Sequence, residues 1–329
     1  MKFFTEAAVP DYPFRIDHRT PMLMMGSCFT ETIGSYLNRY LFDITVNPFG
    51  VIYNPLSVYR SLIALAEKEA YTEDDMNQYN GLYFSFDHYT RFSHPDKKRA
   101  LQNINQAFGE GKRMIRNADY LLITFGTAYV YRYRETNQVV CNCHKIPSSG
   151  FIRELLTPEA IVEEFSLLFD RLKKVNEKFK IIFTVSPVRH LKDGAHGNQV
   201  SKSTLLLAVD RICSQCPDRC LYFPSYEIVM DELRDYRFYA EDMVHPNDLA
   251  VRVIREKFAS AFFSVETTGL IGKLDAVLRN FQHKPVHTGT PAHNKFLEER
   301  DKKLESLKAA HPYLQWSKLT TMERQDPIK

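Results

Sequence analysis

The chain has 329 residues, 44% hydrophobic, 25% charged and 13% aromatic, a composition that supports a sizeable folded core and excludes global disorder. Its 43 basic and 40 acidic side chains are interleaved and leave a formal charge of +3, which excludes a polybasic nucleic-acid-binding chain. No stretch approaches ~18 uninterrupted apolar residues, and Met1-Lys2-Phe3-Phe4-Thr5-Glu6 lacks the apolar core of a signal peptide, so the expectation is a cytoplasmic protein with no membrane partner and reduced cysteines.

Residues 21–25 form a short apolar run ending in Gly26-Ser27, and 30–41 carries Ile33, Leu37 and Leu41 on one helical face, which predicts strand, tight turn and helix. A second strand over 43–46 meets the turn Asn47-Pro48-Phe49-Gly50, and a helix is expected over 55–69. The aromatic-rich segment 71–100, with Tyr79, Tyr83, Phe84, Phe86, Tyr89 and Phe92, reads as an excursion from the core. A helix over 100–117 leads into the continuous apolar run 119–125, of the type buried on both faces of a parallel sheet. Residues 129–134 and 139–144 read as a hairpin. Helices over 158–176, 201–216 and 247–262 alternate with strands over 180–185 and 220–223. This alternation predicts a three-layer α/β/α sandwich with a mainly parallel sheet over 1–266. From 267 the composition turns first to His, Pro, Thr and Gly and then to dense charge, so 267–329 is expected to be an appended, partly helical tail.

Gly26-Ser27 sits where an apolar strand hands over to a helix. A glycine there lets the backbone turn sharply and sets the serine hydroxyl at a helix N-terminus, among free N–H groups that stabilise developing negative charge. Taken alone, the pair is better described as a serine that caps the helix. A second element shifts the balance: Asp242-Met243-Val244-His245-Pro246 precedes the last core helix. An aspartate three residues before a histidine on a loop is able to accept the imidazole Nδ1–H, leaving Nε2 to take a proton from a serine hydroxyl.

The order of short blocks along the chain carries a resemblance. Gly26-Ser27-Cys28-Phe29, Asn47-Pro48-Phe49-Gly50-Val51-Ile52-Tyr53-Asn54-Pro55, Thr124-Phe125-Gly126-Thr127-Ala128, Ser186-Pro187-Val188 and Asp242-x-x-His245 together resemble the GSCFA family, a distant branch of the SGNH/GDSL-type esterases. Thr30 stands where the family's first motif has alanine. The resemblance spans about 20–262. It implies Ser27 as nucleophile, Asp242 and His245 as its partners, and backbone N–H groups of Ser27 and Gly50 as oxyanion donors. In the wider superfamily the third block is Gly-x-Asn, whose asparagine is a further donor; here the tripeptide is Gly126-Thr127-Ala128. Asn54, Thr127 or a backbone N–H near Gly126 are the candidate replacements, with Asn54 ranked first because it shares a loop with Gly50.

Asn198, Ser201 and Lys202 precede or open the predicted helix 201–216 and are candidates for binding a polar or anionic substrate group; capping by Ser201 with a solvent-exposed Lys202 explains them equally well. The aromatic excursion and the hairpin are candidate walls of an acyl or sugar pocket. Cys141, Cys143 and His144, with Cys213, Cys216 and Cys220, supply enough ligands for zinc. Their spacing on a strand and a helix face favours ordinary packing instead, so no metal is assigned. The expected activity is hydrolysis of a small-molecule or carbohydrate ester through an acyl-enzyme, with no cofactor. The alternatives are O-acyl transfer to a sugar or cell-wall hydroxyl, and a non-catalytic ligand-binding module. Oligomeric state is not specified by the sequence.

Overall fold

The computed structural model describes residues 4–282 and 287–319. In chain order it builds β1 (Met22–Gly26), α1 (Cys28–Arg39), β2 (Ile44–Val46), α2 (Pro55–Glu67), β3 (Asn77–Tyr79), β4 (Leu82–Phe84), α3 (Lys97–Asn117), β5 (Tyr120–Phe125), β6 (Tyr129–Tyr133), β7 (Gln138–Val140) and β8 (Phe151–Leu155). There follow α4 (Pro158–Lys173), β9 (Lys180–Val185), α5 (Gly194–Gln215), β10 (Cys220–Tyr222), the short α6 (Ser225–Glu227), α7 (Asp248–Phe262), α8 (Val265–Gln282) and α9 (Pro291–Ala310).

The central sheet is parallel throughout, in the order β10-β9-β5-β1-β2. Every residue of β1 and β5 is buried, which is why those strands read as unbroken apolar runs instead of alternating ones. Helices flank the sheet, and their starts are set by local chemistry. The Asn54 carboxamide caps α2 ahead of Pro55, Asp96 caps α3 through the Arg99 N–H, and Thr157 caps α4 ahead of Pro158. Phe125, Phe165 and Phe183 interlock at 5.5–5.7 Å between ring centroids in the middle of this core.

Three features depart from the sequence-based expectation. The helix expected over 201–216 begins at Gly194, so Ser201 lies within it and is not its cap. The hairpin gains a third strand, giving the antiparallel order β7-β6-β8. The segment 71–100 holds a second hairpin, β3–β4, turned by Asn80-Gly81, both with positive φ (48° and 74°), the conformation that a two-residue hairpin turn demands.

The described residues fall into two compact units: one draws on Pro21–Gly34 and Ile44–Arg255, the other on Asp11–Thr20, Ser35–Asp43 and the chain from Glu256 onward. The second unit is therefore not C-terminal alone. In it Tyr12 stacks on Phe262 at 4.4 Å and Phe42 on His18 at 4.1 Å, while the Tyr40 hydroxyl donates to Asp275 at 2.7 Å. Among the described residues no helix is long and apolar enough to cross a membrane.

Candidate active site

Parallel strands bring their carboxyl ends to one edge, and the loops after β1, β2, β5 and β9 meet there. Gly26 closes β1 with φ +141°, and a Cβ on it would lie 2.1 Å from the Thr124 carbonyl oxygen, so only glycine permits this approach of β1 to β5. Ser27 follows. Its N–H donates to the Thr124 carbonyl at 3.2 Å and its carbonyl accepts the Thr30 N–H at 2.9 Å. The side chain is 1% exposed, and its Oγ has no hydrogen-bond partner. The hydroxyl therefore does not cap the helix, and an unpaired buried hydroxyl costs about 1–3 kcal/mol.

Asp242 and His245 form a closed pair. Asp242 Oδ1 accepts the backbone N–H groups of Val244 and His245, each at 2.9 Å, and Oδ2 accepts His245 Nδ1–H at 2.6 Å. Those two backbone N–H groups, and then the ring, hold the Asp242 carboxyl down at about 2, so it is ionised and Nδ1 must carry the proton. Nε2 is thereby the free ring nitrogen. Met243 takes φ +57° to make the turn. Asn247 fixes its exit, donating to the Arg237 and Tyr239 carbonyls and accepting the Leu249 and Ala250 N–H groups at the start of α7. Both side chains are half exposed, and no hydrogen bond joins His245 to Ser27 Oγ.

The backbone donors expected around Ser27 are engaged. Gly50 N–H donates to Asn47 O at 2.7 Å, while Gly126 and Thr127 both donate to the Tyr53 carbonyl, at 2.7 and 3.0 Å. Gly50 has φ +81°, and a Cβ there would meet Tyr89 Cβ at 2.4 Å. Asn54 is spent on helix capping, with Oδ1 accepting the Ser57 N–H at 2.8 Å and Nδ2 donating to Ser57 Oγ at 3.1 Å. A Cβ on Gly126 would touch the Tyr53 ring at 3.1 Å and Ser27 Cβ at 3.4 Å, which places this tripeptide against the serine.

Asn198, Ser201 and Lys202 share the buried face of α5 at spacings of three and four residues, and their present partners are loops of the protein. Asn198 Oδ1 accepts the His190 N–H at 2.9 Å, and its Nδ2 is buried without a partner. Ser201 Oγ accepts the Ala128 N–H at 2.8 Å and lies 3.0 Å from Thr127 Oγ1. Lys202 is wholly buried, not solvent-exposed, and its Nζ donates to the carbonyls of Gly126 at 2.6 Å and Ser186 at 2.7 Å. Burial lowers its ammonium from 10.5 to about 7. Burial, with the Lys202 charge next, lowers His190 to about 4, so that imidazole is neutral near pH 7. The sequence reading did not single out Tyr53, although it belongs to the block Asn47 to Pro55. Its ring meets His190 edge-on at 5.6 Å.

A cavity of about 500 Å³ opens beside this cluster, lined by Tyr53, Asn54, Thr127, Tyr129, Arg153 and His190 among others. Neither Ser27 nor His245 is among its lining residues. The cysteines are unpaired, and burial raises the Cys143 thiol to about 11 and that of Cys213 to about 12. Among the described residues no group of three or more His, Cys, Asp or Glu is placed to hold a metal ion.

Residues 21–258 match the family model described as the GSCFA family. The chain belongs to the GSCFA family. Residues 274–325 match a second model, the GSCFA domain protein, C-terminal domain. This GSCFA protein has no significant match among curated proteins.

Proposed function

We propose that this GSCFA protein is a serine ester hydrolase of the SGNH type, built on a three-layer α/β/α sandwich. The observation that carries the reading is the buried, unpartnered Ser27 hydroxyl at the carboxyl end of β1, in a chain that also holds a formed Asp242–His245 pair with Nε2 free. Thr30 and Thr124 beside it also hold buried hydroxyls without a partner; what sets Ser27 apart is its place at the turn from β1 into α1, where a helix N-terminus favours developing negative charge. In the proposed reaction the loop bearing His245 closes on Ser27. Nε2 takes the hydroxyl proton as Oγ attacks the ester carbonyl, and the resulting imidazolium, held by the Asp242 carboxylate, protonates the departing alcohol. Water, deprotonated by the same imidazole, then releases the acid and restores Ser27.

A second reading, a non-catalytic binding module on the same fold, draws support from the engagement of the Ser27, Gly50, Gly126 and Thr127 N–H groups with carbonyls of the protein. Labelling by a fluorophosphonate probe, read by mass spectrometry, separates the two. The hydrolase reading expects a single adduct on Ser27 in the wild type, none in Ser27→Ala, and ester turnover lost in the same variant. A wild type that neither labels nor turns over any ester favours the binding module.

A further inference from the structure

The cavity beside Thr127 has a wall whose chemistry the reaction above does not use. Tyr129 and Tyr131 are two residues apart on β6 and so present their rings on one face. Arg153, on β8, lies directly across from Tyr131 in the antiparallel register and shares that face. Its guanidinium sits 3.6 Å from the Tyr129 ring centroid and 5.8 Å from that of Tyr131, and Lys192 Nζ lies 5.9 Å from the Tyr131 centroid. The rings hold the guanidinium flat, and Asp193 takes its N–H edge, so the uncompensated positive charge of the wall is that of Lys145 and Lys192. The lining contains one carboxylate, Asp193, and three cationic side chains, Lys145, Arg153 and Lys192. Asp193 is committed to Arg153, and neither lysine is ion-paired among the described residues. The two imidazoles on the wall, His144 and His190, are each held at about 4 by burial and add no charge at neutral pH. The volume of about 500 Å³ lies within the range of about 300–1,000 Å³ usual for small-ligand sites.

We propose that this cavity is a subsite for a negatively charged group, a carboxylate or phosphate carried on a sugar-sized part of the ligand. As the position of an ester next to Ser27, the assignment rests on the serine-hydrolase reading; as an anion site it stands without it. A half-apolar cavity with a basic rim suits a sugar-sized ligand bearing one anionic substituent, the ammonium groups of Lys145 and Lys192 reaching the charge.

Calorimetric titration of the wild type with glucuronate, glucose 6-phosphate and glucose tests this, and the two anions distinguish carboxylate from phosphate. At least one anionic sugar is expected to bind tenfold or more tightly than glucose, with an affinity that falls as salt is raised from 50 to 500 mM. The variant Lys145→Gln/Lys192→Gln changes two exposed side chains and is expected to lose that tenfold advantage while melting as the wild type does. Equal binding of all three sugars, no binding of either anion, or an advantage that survives in the variant overturns the subsite. Anion binding in a wild type that turns over no ester removes the hydrolase reading and keeps the subsite, whereas turnover without anion preference does the reverse.

Discussion

Replacing Lys202 by Met gives a pH-dependent signature that can be worked from the structure. The ammonium is wholly buried, and its native value of about 7 lies below the unfolded 10.5. Between those two values the unfolded chain binds a proton that the native protein does not, so stability rises with pH across that window. At about 1.4 kcal/mol per pH unit, burying this group costs the native state roughly 4–5 kcal/mol well below pH 7, where it is charged, and only about 2 kcal/mol at pH 9, where the native amine is neutral and the cost is that of giving up its proton. Wild-type stability should therefore gain about 2–3 kcal/mol from this group between pH 6.5 and 9. Methionine carries no such charge, but it leaves the Gly126 and Ser186 carbonyls without their donor at about 1–3 kcal/mol each. The two terms nearly cancel at pH 6.5. At pH 9 Lys202→Met is expected to be the less stable protein by about 2 kcal/mol, because the lost carbonyl bonds then outweigh the relieved desolvation. Urea unfolding of both proteins at pH 6.5, 7.5, 8.5 and 9 measures the difference, in which the titration of groups that do not feel the Lys202 charge drops out. A wild-type minus variant stability that does not change with pH refutes the reasoning.

Two further outcomes are expected. His88 is wholly buried, stacked on Phe49 at 4.8 Å with both ring nitrogens unpartnered, and burial first, then His144, lowers it from 6.5 to about 3; the unfolded chain thus takes the proton first as pH falls, and His88→Phe should remove about 3 kcal/mol of the stability lost between pH 7 and 4, read from denaturant melts at those two pH values. In a crystal structure of the fluorophosphonate adduct on Ser27, a phosphonyl oxygen should sit within hydrogen-bond reach of the Gly126 and Thr127 N–H groups with the Tyr53 carbonyl displaced. An adduct that keeps both Tyr53 bonds counts against that assignment of the oxyanion donors.

The central sheet was legible because its physical constraint is written locally: strands buried on both faces must be apolar at every position, as Met22–Gly26 and Tyr120–Phe125 are. The pair Asp242 and His245 was legible for a similar reason, since a three-residue spacing on a loop brings carboxylate to imidazole without help from the rest of the fold. The inner face of α5 was not. Asn198, Ser201 and Lys202 look like the polar opening of a helix, and what buries them is a set of partners far away in sequence, at Gly126, Ala128 and Ser186. Gly194 and Gly197 also break the apolar periodicity that would have started the helix earlier. The β3–β4 hairpin did carry a local signal, Asn80-Gly81, which the surrounding aromatics obscured. β8 carried little, because Ile152, Arg153 and Glu154 are all partly exposed.

Tyr53 links the Gly126-Thr127 backbone to the cavity. Its carbonyl accepts two successive N–H groups, from Gly126 and Thr127, the arrangement by which a developing oxyanion is held. Its ring packs against Gly126, on the side where that residue faces Ser27, meets His190 edge-on and lines the cavity. Under the hydrolase reading, a substrate oxygen would replace the Tyr53 carbonyl, giving up two ordinary hydrogen bonds worth about 0.5–1.5 kcal/mol each. A donor to the transition-state oxyanion is worth about 2.7–4 kcal/mol, so the exchange favours the reacting complex once a substrate is in place. The engaged N–H groups then describe a resting state closed by the protein's own carbonyl, and the missing asparagine of Gly126-Thr127-Ala128 is answered by the backbone of that same tripeptide. What must move is the segment carrying Tyr53, which lies between the anion-selective wall of the cavity and the serine that the reaction would use.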